Sequence, residues 1–78
     1  MKTVSVSLNS IDKVKSFVNM VGKYSADFDL ISGRYVIDAK SIMGIFSLDL
    51  SKPITLKIHD SNNIEEILED LAPFLVEE

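Results

Sequence analysis

The segment that decides the fold reads Lys40-Ser41-Ile42-Met43-Gly44-Ile45-Phe46-Ser47-Leu48. Ser41 is a preferred helix N-cap residue, and the apolar residues that follow it have helical spacing. Gly44 lowers the helix propensity of the segment by about 1 kcal/mol relative to alanine. The sequence therefore predicts a short, weakly held helix here, and Lys52-Pro53 ends the unit.

Alternating segments flank this helix on both sides. Before it, apolar residues alternate with aspartates over residues 27–30, and Ser32-Gly33 supplies a two-residue turn. Residues 35–38 then continue with aromatic and β-branched side chains, which favour a strand. After the helix, Ile54, Leu56 and Ile58 alternate with polar residues through His59. The pattern predicts a β-hairpin, the short helix and then a further strand with one buried face.

The two ends of the chain add a strand and two helices. Residues 3–8 alternate as a half-buried strand. A helix is predicted over about residues 10–22, with Asn9 or Ser10 as N-cap and Gly22 at its end. Its apolar stripe consists of Ile11, Val14, Phe17, Val18 and Val21.

The last predicted helix covers about residues 63–72. A capping box is predicted at its start, pairing Asn62 with Glu65 or Asn63 with Glu66. Pro73 removes a backbone donor, so the helix must end or bend there, and residues 74–76 are predicted to pack as a last turn.

The element order is therefore β-α-β-β-α-β-α. Amphipathic strands combined with amphipathic helices predict an α/β (α+β) open-faced sandwich, in which three helices cover one face of a four-stranded antiparallel sheet. A length of 78 residues allows one domain, so we expect a single domain over residues 1–78.

The composition of the chain excludes several classes of function. The chain has no cysteine, which excludes disulfides, thiolate catalysis and cysteine-based zinc sites. Its formal net charge of −4 argues against direct nucleic-acid binding. No apolar run is long enough for a membrane span or signal core, and we expect a cytoplasmic protein. The acidic side chains of the last helix form its solvated face, so neither a metal nor another cofactor is expected.

Residues 23–30, Gly33 and above all residues 40–48 resemble HPr, the histidine-containing phosphocarrier of the bacterial sugar phosphotransferase system. The resemblance runs from the first to the fourth strand, about three-quarters of the chain by the residue ranges given above. The Lys-Ser-Ile-Met-Gly stretch at residues 40–44 is its specific part. The resemblance implies the HPr-like fold and a non-enzymatic role within sugar transport or its regulation.

The chain departs from the family at the carrier site. HPr proteins have a phosphorylatable histidine at the start of the first helix, with an arginine and a proline following it. The stretch here is Leu8-Asn9-Ser10-Ile11-Asp12-Lys13-Val14. Ser10 stands where the histidine would be, Asp12 replaces the arginine and Lys13 the proline. A serine ester does not transfer phosphate as readily as an imidazole phosphoramidate, and Asp12 repels phosphate.

The resemblance also supplies candidate regulatory residues. Ser41 matches the serine that an HPr kinase phosphorylates in Gram-positive HPr proteins, with Lys40 beside it. Ile42, Met43 and Phe46 match an apolar patch that docks partner proteins. Two plainer interpretations stay open: Ser41 is only a helix cap, and the apolar residues belong to the core.

Three functions remain from the sequence. The first is an HPr-like regulatory module, similar to catabolite-repression HPr variants, that binds an HPr kinase, a transcriptional regulator or phosphotransferase components. The second is a divergent phosphocarrier that uses Ser10 or the only histidine, His59, which lies next to Asp60. His59 has no second catalytic group at informative spacing and is more simply a solvated residue at a strand end. The third is an unphosphorylated assembly module, and we expect a monomer or weak homodimer.

Overall fold

The computed structural model describes residues 2–59 and 62–76. The strands are β1 (Lys2–Val6), β2 (Phe28–Ser32), β3 (Tyr35–Asp38) and β4 (Ile54–Ile58). The helices are α1 (Ile11–Val21), α2 (Ile42–Phe46) and α3 (Ile64–Leu71), and a 3₁₀ turn follows at Ala72–Phe74. The predicted order of elements is confirmed.

The four strands form one antiparallel sheet in the order β1-β4-β2-β3. Alternate residues of the central strands, such as Leu30 and Leu56, are fully buried and join the inward residues of all three helices in one core. The intervening residues, such as Asp29 and Lys57, are only half-buried. The helices therefore cover one face of the sheet, as the alternation predicted.

Two local predictions in the first half of the chain are wrong. Ile11 is not part of the buried stripe of α1, because 61% of its surface is exposed and the buried stripe begins at Val14. The hairpin turn consists of Gly33 and Arg34 rather than Ser32 and Gly33, since Ser32 still pairs with Tyr35. Gly33 has a φ of 59°, which fits the first central position of a two-residue hairpin turn.

Gly44 allows α2 to lie close to β3. A Cβ atom at this position would come within 2.6 Å of Cγ2 of Ile37 in β3. The residue that the sequence marked as a weakness of the helix is thus required by its packing against the sheet. This contact fixes how α2 and its cap residue Ser41 sit on the domain.

The C-terminal segment differs from the prediction. Asn63 is the N-cap of α3, but its side chain makes no capping hydrogen bond, so the capping box predicted there is not formed. After the 3₁₀ turn, the chain is extended beside β1 rather than forming a further turn. Ser7 N–H donates to the Phe74 carbonyl at 2.8 Å, and Val76 N–H donates to the Ser5 carbonyl at 3.0 Å. Across the described ranges, no helix is long and apolar enough to span a membrane.

Candidate functional site

Ser41 is the exposed N-cap residue of α2. Its Oγ accepts a hydrogen bond from Gly44 N–H at 3.3 Å, and its carbonyl accepts one from Ile45 N–H at 3.0 Å. Its own N–H donates to the Asp38 carbonyl at 2.9 Å, which ties the cap to the end of β3. The capping role predicted from the sequence is present, and the hydroxyl lies at the surface.

Lys40, which the resemblance suggested as a partner-binding residue, makes contacts within the domain. Its Nζ donates to the Tyr24 carbonyl at 2.8 Å and lies 5.8 Å from the centre of the Phe28 ring. The side chain is half-buried, and the backbone N–H donates to Oδ1 of Asp38 at 2.9 Å. Lys40 therefore links the α2 region to the loop before β2.

The three residues predicted to form an apolar patch differ in exposure. Met43 and Phe46 are 78% and 40% exposed. Ile42 is half-buried and packs against the hydrophobic core. The outer surface of α2 therefore presents Met43 and Phe46, while Ile42 and the fully buried Ile45 hold the helix on the domain.

The start of α1 forms a second exposed surface. Ser10 is the N-cap, and its Oγ accepts a hydrogen bond from Lys13 N–H at 3.1 Å. Asp12 is exposed in the first turn, where a phosphate on residue 10 would meet its negative charge. Ile11, which sequence reasoning assigned to the core, is exposed beside the cap. Its position directly after the N-cap, one turn before the first buried residue of the helix, indicates that it is exposed.

A shallow hollow adjoins this helix start. It is lined by Asp12, Lys13 and Ser16 of α1 together with Pro73 and Phe74. The hydrogen bond between Ser7 and Phe74 brings the 3₁₀ turn to this place. Sequence reasoning did not place Pro73 here, because nothing local indicates that the C-terminal segment returns to α1.

Residues 13–77 match the protein family described as "PTS HPr component phosphorylation site". The chain belongs to the HPr family. HPr proteins are phosphocarriers of the phosphotransferase system rather than enzymes in themselves, and they interact with other proteins of that system.

Solved structures agree with this assignment. HPr-C-His from Thermoanaerobacter tengcongensis has a TM-score of 0.77 and 26% identity, over 94% of this chain and 89% of that one. The phosphocarrier protein HPr from Bacillus anthracis str. Ames has a TM-score of 0.70 and 33% identity, over 96% and 94%. A histidine-containing phosphocarrier protein from Mycoplasma, at 15% identity and a TM-score of 0.69 over 92% and 86%, supports the fold alone. No sequence among the curated proteins matches this chain.

In this HPr-family chain the only histidine, His59, follows β4 rather than preceding α1. Its Nε2 lies 2.7 Å from Oδ2 of Asp29 in β2. Asp60, which the sequence suggested as its neighbour, lies outside the described residues. Within residues 2–59 and 62–76, no group of three or more histidine and acidic side chains could hold a metal ion.

Tyr24 connects the loop before β2 to α3 through its hydroxyl, which donates to Oδ2 of Asp70 at 2.5 Å. This hydrogen bond, together with burial and the negative charges of Asp70, Glu66 and Glu69, raises the pKa of Tyr24 to about 12. The folded state therefore favours the protonated phenol more than the unfolded state does.

We expect Tyr24 to make stability depend on alkaline pH. The pKa of Tyr24 is higher in the folded state than in the unfolded state. Its contribution to the free energy of unfolding is therefore fully present below pH 10 and is lost as the pH rises through about 12. Urea unfolding at a series of pH values should show that the free energy of unfolding falls less over this range for Tyr24→Phe than for the wild type. Equal falls in the two proteins would contradict the assignment.

Proposed function

We propose that this HPr-family protein is a regulatory interaction module that does not carry phosphate on histidine and is switched by phosphorylation of Ser41. The observation that carries the proposal is the placement of Ser41. It is an exposed hydroxyl at the N-cap of α2, beside the exposed Met43 and within the segment that resembles HPr most specifically.

The start of α1 supports loss of the carrier function. A carrier must pass its phosphate on at small free-energy cost, which a phosphoramidate on imidazole allows and a serine ester does not. Ser10 is a cap residue whose Oγ accepts the Lys13 N–H, and Asp12 adds a negative charge in the same turn. His59 lies at the end of β4, with its Nε2 against Asp29. We therefore assign no phosphate transfer to either residue.

Phosphorylation of Ser41 is compatible with the fold. The hydroxyl is exposed, and the first N–H groups of a helix have no intrahelical acceptor, so phosphate oxygens can replace the capping oxygen. Losing the cap alone changes stability by only about 1 kcal/mol. The modification then adds charge to the surface without breaking the core.

The partner is a protein that binds the phosphate and the adjacent apolar side chains together. Met43 and Phe46 supply exposed apolar surface within about one and a half helical turns of Ser41. A partner with a basic site beside an apolar hollow fits this surface, since the chain itself is acidic. An HPr kinase, a transcriptional regulator or phosphotransferase components are the candidate partners.

The direct test is phosphorylation by an HPr kinase and ATP. We expect the wild type to gain one phosphoryl group on Ser41, and Ser41→Ala to gain none. Ser47→Ala is the matched control, because Ser47 is an exposed serine at the other end of α2, and it should be phosphorylated like the wild type. Equal labelling of Ser41→Ala and the wild type would overturn the proposal.

A further inference from the structure

The outer edge of β3 is open. The strand order places β3 at one margin of the sheet, and Tyr35 and Val36 are 67% and 62% exposed. The hairpin turn closes on the pair Ser32–Tyr35, so the hydrogen-bonding groups of Tyr35 and Ile37 face β2. The N–H and carbonyl of Val36 therefore point away from the sheet, where another strand can pair with them.

Opposite charges flank Val36 on this edge. Arg34, the second residue of the hairpin turn, directly precedes β3, and Asp38 is the last residue of β3, so the two charges lie at opposite ends of this edge. Over the described ranges, neither Arg34 nor Asp38 has an ion-pair partner. Asp38 stands opposite another carboxylate, Asp29, across the hairpin. Like charges in this position are unfavourable, and Asp38 has no compensating cation among the described residues.

We propose that β3 pairs antiparallel with β3 of a second copy of this chain, with the two-fold axis at Val36. In this register Val36 lies opposite itself as a hydrogen-bonded pair, and Arg34 of each copy lies opposite Asp38 of the other. Both Asp38 carboxylates then gain a cation. One oxygen of Asp38 accepts the backbone N–H of Lys40, and the other is available for the guanidinium.

Self-complementarity makes a second copy the occupant rather than an unrelated peptide. When one strand is reversed against the other, the cation at one end of each edge meets the carboxylate at the other end of its partner's edge. The net charge of −4 does not oppose this pairing locally, because residues 34–40 carry two cations and one carboxylate. Since only a short strand takes part, the interface is small and the dimer is weak and concentration-dependent.

Sedimentation equilibrium from micromolar to millimolar protein tests the pairing. We expect the mass of the wild type to rise from one chain towards two. Arg34→Asp and Asp38→Arg each place like charges opposite one another twice, and should raise the dimer dissociation constant by about tenfold or more. The double variant Arg34→Asp/Asp38→Arg restores opposite charges and should restore dimerisation.

Lys15→Asp is the matched control, because it makes the same change in net charge on the exposed surface of α1, and it should dimerise like the wild type. Arg34 lies in the exposed turn, so its variant tests the interface even if Asp38→Arg does not fold. A single-chain mass at every concentration would overturn the proposal. So would a dimer that Arg34→Asp leaves unchanged, or a folded double variant that remains monomeric.

Discussion

A variant carrying Ser10→His and Asp12→Arg is expected to accept phosphate from Enzyme I and phosphoenolpyruvate, whereas the wild type does not. The fold belongs to the HPr family, and residue 10 is the N-cap of α1, where helix N–H groups and the positive end of the helix dipole favour a phosphate. The first change supplies an imidazole nucleophile, and the second replaces a repelling carboxylate with a phosphate-binding guanidinium.

The product of this reaction should be acid-labile, as phosphohistidine is, and mass spectrometry after digestion should place it on residue 10. Ser10→Ala with Asp12→Arg is the control, since it has the arginine without the nucleophile and should remain unmodified. A folded Ser10→His/Asp12→Arg variant that gains no phosphate would contradict the proposal that these two positions account for a loss of carrier function.

The second large effect concerns the core that holds α1 in place. Phe17→Ala should lower the free energy of unfolding by about 3–5 kcal/mol, a large part of the total for a small domain. Phe17 is fully buried, and its ring meets that of Phe74 edge to face with centroids 5.6 Å apart. The substitution leaves a cavity between α1 and the C-terminal segment.

Urea unfolding followed by circular dichroism measures this effect. Ser16→Ala is the control, because Ser16 is the exposed neighbour on the same helix and its replacement should change stability by no more than about 0.5 kcal/mol. A loss below about 1 kcal/mol for Phe17→Ala would mean that the contact with Phe74 does not hold the C-terminal segment on α1.

The order of the elements could be predicted because each has a clear local period. The alternation of Ile54, Leu56 and Ile58 gives β4 its buried face, and the spacing of Val14, Phe17 and Val21 does the same for α1. The predicted ends of the elements and positions of the turns were less accurate, because they depend on the backbone conformation of single residues. Gly33 adopts its positive φ as the first rather than the second turn residue, and this shifts the hairpin turn by one.

The exposed residues of α2 were only partly predictable. Ser41 could be recognised as a cap, but the orientation of α2 depends on the close approach of Gly44 to Ile37 in a different element. That packing turns Ile42 towards the core and leaves Met43 and Phe46 outside. The hydrogen bond from Lys40 to the Tyr24 carbonyl could not be predicted either, because the two residues are distant in sequence and only folding brings them together.

The most direct test of the account is the intact mass of the wild-type protein after two parallel reactions, one with an HPr kinase and ATP and one with Enzyme I and phosphoenolpyruvate. We expect one phosphoryl group from the kinase, located on Ser41, and none from Enzyme I. A phosphoryl group acquired from Enzyme I would contradict it, as would a protein that the kinase leaves unmodified or modifies at another residue.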